Sequence, residues 1–253
     1  MSMNDLNDII KKAKNLEGKT ISKALPDLIA NYPDNRRMTK SVFANYIEKD
    51  YFNLDLSSSS KPDFENISLE LKTTGIKFVK SRSIYNAKER LVLTQIDYKD
   101  VIKNDLWTDN SHLKKINKII FIIYLYEKKP VKFENFQIVH TFKWEPTKEH
   151  SKLIQRDYAI IRNKIIKGQV ISERDTDFLG NCPRHGGGYN KSNPSLSKGG
   201  AIAKHPNLNF AERRAFCIKQ RAFDQIIADS LNMKLKDFGN SIGLYKNDYP
   251  SFK

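Results

Sequence analysis

"KPDFENISLELKTTG", residues 61–75, is the stretch on which the reading of this chain turns. Ile67, Leu69 and Leu71 alternate with Ser68, Glu70 and Lys72, which is the period of a β-strand. Side chains two apart on a strand point the same way, so Ser68, Glu70 and Lys72 share one face while the apolar three enter a core. Asp63 stands at or just before the start of that strand. Two readings are open. One is an amphipathic strand with a solvated face. The other is a metal-dependent site that cuts phosphodiesters, in which the carboxylates of Asp63 and Glu70 converge on one divalent cation with the backbone carbonyl of Leu71. Oxygen donors of this kind suit Mg2+, which keeps several waters and takes substrate phosphate oxygens as further ligands. Lys72 would then orient the attacking water or offset negative charge in the transition state.

The composition around this stretch narrows the partners. The chain has 253 residues, 39% of them hydrophobic and 29% charged, which suits a folded protein with a substantial core. Lys and Arg number 44 against 29 Asp and Glu, a formal net charge of +15 spread along the whole length. Such a surface attracts polyanions, of which nucleic acid is the commonest; the alternative is a merely basic protein. Cys182 and Cys217 are too few for a disulfide framework, Met1–Asp8 is polar, and the longest apolar run, Ile119–Leu125, is too short to span a bilayer. A cytoplasmic protein with reduced thiols and no membrane partner is expected.

The elements read as follows. Asn4 or Asp5 caps a helix with an apolar stripe of Leu6, Ile9, Ile10, Ala13 and Leu16, ended by Gly18. Ile21–Ala30 is a weak helix interrupted by Pro26. Thr39 caps a helix burying Val42, Phe43, Tyr46, Ile47 and Phe52, with Glu48 beside that face. Strands are predicted over Ile67–Leu71, Ile76–Val79, 89–96, 118–126 and 136–144; the run KIIFIIYLY at 118–126 is apolar almost throughout, as a central strand covered on both faces would be. A long helix is expected from about Thr147 to Lys167, with Leu153, Ile154, Tyr158, Ile161, Ile165 and Ile166 at helical spacing. Residues 180–209 are rich in Gly, Asn, Ser, Pro and Lys and read as a long loop, functional or disordered. The segment 211–223 resumes regular structure, and Phe223–Leu231 closes with a helix.

Glu70-x-Lys72 after an upstream Asp is the D-x(n)-E-x-K arrangement of many restriction endonucleases. The segment SKPDFENISLELKTT is similar to the active-site segment of the MutH and Sau-three-AI family of DNA endonucleases, with Ser60, Lys61, Pro62, Asp63, Glu70, Leu71, Lys72 and Thr73 on the matching positions. The resemblance continues through AKNLEGKTISKAL at 13–25, SVFANYIEKDYF at 41–52, NAKERLVLTQIDYKDV at 86–101, HLKKINKIIFIIYL at 112–125, IQRDYAIIRNKIIKGQ at 154–169 and AERRAFCIKQRAF at 211–223, roughly residues 10–235 in all. It implies a mixed α/β (α+β) fold, restriction-endonuclease-like, with a mixed central sheet flanked by helices and two lobes forming a DNA cleft. It implies one such domain over 1–253, its catalytic core at about 10–170 and its recognition loop and C-terminal segment at about 180–235. It puts additional active-site roles on Glu48 and Lys115. It also implies a Mg2+-dependent type II restriction endonuclease cutting double-stranded DNA at a short palindrome, GATC. The alternatives are a mismatch-repair-type nicking enzyme and a non-catalytic DNA-binding module. The restriction enzyme of this family is about twice as long and carries a second DNA-binding half, so a homodimer on DNA is expected here.

DNA contacts are expected from the basic residues of the C-terminal part. Arg184, His185, Lys191 and Lys198 lie on a glycine-rich stretch read as a flexible loop that orders on DNA, the alternative being a solvated surface loop. Arg214, Lys219 and Arg221 surround Phe216 and Ile218, and on a strand Lys219 and Arg221 would share a groove-facing side. The Cys182–Pro183–His185 grouping lacks the four-ligand spacing of a zinc site.

Overall fold

The computed structural model describes residues 5–30, 39–55, 61–128, 131–184, 188–239 and 242–245. In chain order the elements are α1 (Leu6–Lys14), α2 (Ile21–Ala24), α3 (Pro26–Ala30), α4 (Lys40–Tyr46), β1 (Glu70–Val79), β2 (Ile84–Ala87), β3 (Leu91–Gln95) and α5 (Tyr98–Lys103). Then follow β4 (Ile119–Tyr126), β5 (Ile138–Trp144), α6 (Lys148–Ile166), β6 (Leu179–Pro183), β7 (Ile202–Ala203), β8 (Ala211–Glu212), β9 (Arg214–Ile218), α7 (Gln220–Ser230), β10 (Leu235–Asp237) and β11 (Ile242–Tyr245).

The chain divides into two compact units, Met1–Glu89 with Lys118–Glu145 and Phe223–Lys253, and Arg90–Asn117 with Pro146–Ala222. The units interleave along the sequence. α6 falls in the second unit with β6 and β9, whereas β4 falls in the first.

The first unit is built on a six-stranded sheet in the order β10-β11-β2-β1-β4-β5. β1 runs parallel to β4 and antiparallel to β2, so the sheet is mixed. β4 lies between β1 and β5, and its first six residues are buried, which is why that run has no polar alternation. Leu69, Leu71, Ile120, Ile122, Tyr124 and Ile138 share a core with Ile9, Ala13, Leu16, Phe43, Ile47 and Phe52 of the N-terminal helices. Asp5 and Thr39 cap α1 and α4 as their sequence positions predict. The two predicted strands Ile67–Leu71 and Ile76–Val79 form one continuous strand starting at Glu70. Thr73, Thr74 and Gly75 do not interrupt it; Gly75 is needed because a Cβ there would meet the Tyr124 ring at 2.7 Å.

The second unit centres on the three-stranded sheet β3-β9-β6. The strand predicted over 89–96 is β3, and it pairs with β9. On α6, capped by Thr147, Ile154, Tyr158, Ile161 and Ile165 are buried, while Ile166 has turned off that face and is exposed. The expected long loop at 180–209 is more structured than its composition suggests. It begins as β6, and residues 188–201 are cross-braced by backbone and side-chain hydrogen bonds. No helix of the described residues is long and apolar enough to cross a membrane.

Candidate active site

A tight reversal of the chain before β1 assembles the site. Phe64 and Leu69 exchange backbone hydrogen bonds, at 2.9 and 3.2 Å, around a 3-10 turn over Glu65–Ile67. Ser68 closes the turn with φ 52°, in the left-handed region. It therefore does not belong to the strand or share a face with Glu70 and Lys72, as the alternation had predicted: the turn geometry overrides period-2 patterning. Lys118, at the entry to β4, holds the reversal from the other side. Its carbonyl accepts from Glu70 N at 2.9 Å, and its Nζ donates to the Ile67 carbonyl at 3.2 Å.

The consequence is that Asp63, seven positions before Glu70 in sequence, lies beside the first residues of β1. Asp63 Oδ2 accepts the Leu71 backbone N–H at 2.7 Å. Glu70 is only 1% exposed, and Lys72, whose side chain is 22% exposed, forms an ion pair with it. Burial opposes the charge on Lys72, but Glu70, Asp63 and Glu48 outweigh it and raise the ammonium pKa above its ordinary value. Glu48 occupies a single π-helical turn, Ile47–Tyr51, that continues α4. Such turns recur at functional sites because the extra residue re-aims side chains. Asp63, Glu70, Lys72 and Glu48 are thus brought together electrostatically.

Among the described residues, no group of three or more His, Cys, Asp or Glu side chains is placed to hold a metal ion. A hard, water-retaining cation does not need one: two carboxylates and a carbonyl, completed by water and phosphate oxygens, fit Mg2+ and would not fit zinc. Asp63, Glu70 and the Leu71 carbonyl would supply donors of that kind.

The other sequence-predicted residues belong to the second unit. Lys115 is on the 3-10 turn Leu113–Asn117, in the second unit. Arg184 is exposed at the end of β6, and its N–H donates to the Arg213 carbonyl. Lys191 and Lys198 are exposed, whereas His185 lies outside the described residues. Arg214 begins β9. It is buried, with its guanidinium 2.5 Å from Glu212 Oε2 and 2.6 Å from Asn181 Oδ1, because Glu212 two positions earlier and Asn181 on the paired strand face it. Lys219 and Arg221 do not share a strand face, since β9 ends at Ile218 and α7 begins at Gln220. Lys219 Nζ donates to the carbonyls of Glu173 and Thr176, and Arg221 is exposed.

Sequence reasoning missed Asp157. It is fully buried on α6, and its Oδ2 accepts the backbone N–H groups of Asp177, Phe178 and Leu179 at 3.2, 2.7 and 2.9 Å. The signal was an acidic residue inside the apolar stripe, between Ile154 and Ile161.

A mixed sheet with a carboxylate–lysine set at the start of its inner parallel strand defines a restriction-endonuclease-like α+β fold. Residues 52–157 match the family model described as DNA mismatch repair enzyme MutH. The chain is 28% identical over 233 residues to the type II restriction enzyme Sau3AI of Staphylococcus aureus, an alignment covering 89% of this chain and 46% of that protein. The chain is thus similar to a MutH/Sau3AI-like family and spans about half the length of the curated relative it matches.

Proposed function

We propose that the chain is a Mg2+-dependent type II restriction endonuclease that hydrolyses both strands of duplex DNA at a short palindrome, GATC. The observation that carries this reading is Lys72, ion-paired to Glu70 and favoured as an ammonium by Asp63 as well, with the Asp63 carboxylate held on the Leu71 N–H. The relative's name, a type II restriction enzyme, supports cleavage of both strands. The choice of GATC rests on the family resemblance alone.

Asp63, Glu70 and the Leu71 carbonyl would hold the cation, which supplies a Lewis acid at the scissile phosphate when bound. The hydrogen bond from Leu71 N keeps the Asp63 carboxylate aligned, and burial restricts Glu70 to one orientation. Lys72, with its raised pKa, stays an ammonium at neutral pH. It therefore acts as a donor and not as a base: it orients the attacking water and offsets the charge that gathers on the phosphoryl oxygens. Glu48 adds a smaller favourable charge interaction to that ammonium.

Supercoiled plasmid incubated with protein and Mg2+ tests the reading. Linear fragments whose sequenced ends share a palindrome are the expected result. Nicked circles alone would point to a mismatch-repair-type nicking enzyme. A gel shift without cleavage would leave a DNA-binding module.

A further inference from the structure

We propose that Leu196, held out at the tip of a braced basic loop, makes an apolar contact with the bases of duplex DNA while Lys191 and Lys198 contact the flanking phosphates. The inference rests on the DNA-acting reading above, to which it adds a residue. Leu196 is 70% exposed, the highest value among the exposed large hydrophobics of the described residues. One exposed leucine alone would mean little, since such residues are common. Its mounting is what distinguishes it. Leu196 ends the 3-10 turn Pro194–Leu196, in which its N–H donates to the Asn193 carbonyl at 3.0 Å and the Ser197 N–H to the Pro194 carbonyl at 3.1 Å. Asn190 ties the turn together. Its Oδ1 accepts from Ser192 N and Asn193 N at 3.0 and 2.9 Å, and its own N–H donates to Ser197 Oγ at 2.8 Å. Lys198 N donates to the Gly188 carbonyl at 2.9 Å, closing the loop, and Ala201 accepts from Arg213 N at 2.8 Å, joining it to the strand segment. The backbone carrying this hydrophobic side chain is thus braced before binding, which lowers the ordering cost of the contact.

Charge selects the occupant. From residue 178 to residue 211 the sequence contains no Asp or Glu, while Arg184, Lys191, Lys198 and Lys204 lie in that span. Lys191 and Lys198 are exposed and make no ion pair among the described residues. Cations on either side of an apolar tip match a duplex groove, which has phosphates at its rims and base edges and thymine methyls within.

Fluorescence anisotropy with a labelled duplex, in the absence of divalent ions and over a range of salt, tests the assignment. Leu196→Ala should weaken binding about three- to tenfold at every salt concentration without changing the slope of log K against log[salt], and Leu196→Met should recover most of the loss. Lys191→Ala and Lys198→Ala should each flatten that slope by about 0.9. Wild-type affinity in Leu196→Ala, unchanged slopes in both lysine variants, or displacement of the duplex by polyglutamate at matched charge would overturn the proposal. The endonuclease reading fails separately: a protein that binds with this Leu196 dependence but never cuts plasmid overturns only that reading. A protein that cuts while Leu196→Ala binds normally overturns only this one. Absence of duplex binding overturns both.

Discussion

At the scale of single residues, the site contrasts groups that bind with groups that act. Lys72→Ala removes the ammonium that the proposed mechanism places on water and phosphate, while the distributed basic surface remains. Plasmid cleavage should fall by at least about a hundredfold, as expected for loss of one preorganised electrostatic group, with duplex affinity within a few-fold of wild type. Near-normal turnover by that variant would remove the assigned site. Glu70→Gln keeps the shape but withdraws a carboxylate from the proposed cation site. Its activity should fall as far as that of Lys72→Ala and should recover partly at high Mg2+, a rescue that Lys72→Ala should not show. Chelation by EDTA should stop the wild-type reaction and leave binding in place.

At the scale of elements, two carboxylates join segments distant in sequence. Glu17, in the turn after α1, accepts from the N–H and Oγ1 of Thr141 on β5 and pairs with Lys14 and His140. Burial works against its charge, but these partners, His140 foremost, lower its pKa from 4.5 to about 2. A depressed carboxylate stabilises the fold fully above its unfolded pKa and loses that contribution as pH falls through its folded pKa. Stability should therefore decline between about pH 4.5 and 2, and Glu17→Gln should flatten this decline, costing roughly 2–3 kcal/mol at neutral pH. Urea melts of both proteins across that range would check it; parallel curves would refute the linkage. In the second unit Asp157 joins α6 to the backbone of 177–179. Asp157→Ala strands three N–H groups, those of Phe178 and Leu179 buried, and should destabilise by about 3 kcal/mol, read as loss of amide-exchange protection at 177–179. Asp157→Asn, which keeps one acceptor oxygen, should cost less.

At the scale of the whole molecule, under the proposed function the Asp63, Glu70 and Lys72 of one chain face a palindrome with two scissile phosphates related by a two-fold axis. Double-strand cleavage should then need two copies of the chain meeting on DNA, each cutting one strand. The rate should rise more steeply than first order with protein concentration, and little nicked circle should accumulate. First-order dependence with early nicked plasmid would instead indicate sequential nicking by a monomer.

Much of this architecture was legible in the residues. Helix caps at Asp5, Thr39 and Thr147, the unbroken apolar run of β4 and the Asp63, Glu70 and Lys72 spacing are local properties, set by backbone hydrogen bonding and side-chain period, and they survive in the folded chain. Tertiary structure decided what depends on partners far along the chain. Asp63 meets Leu71 because Lys118 and the left-handed Ser68 shape the reversal before β1, and neither carries a periodic signal. Arg214 reads as a surface cation until Glu212 and Asn181 take it inside, since a charge is buried only where pairing offsets its desolvation. The stretch at 188–201 looks like free loop until Asn190 supplies its hydrogen bonds from within. Period and capping are short-range and can be read from neighbours; which polar groups pair across strands and loops depends on a packing that no local pattern encodes.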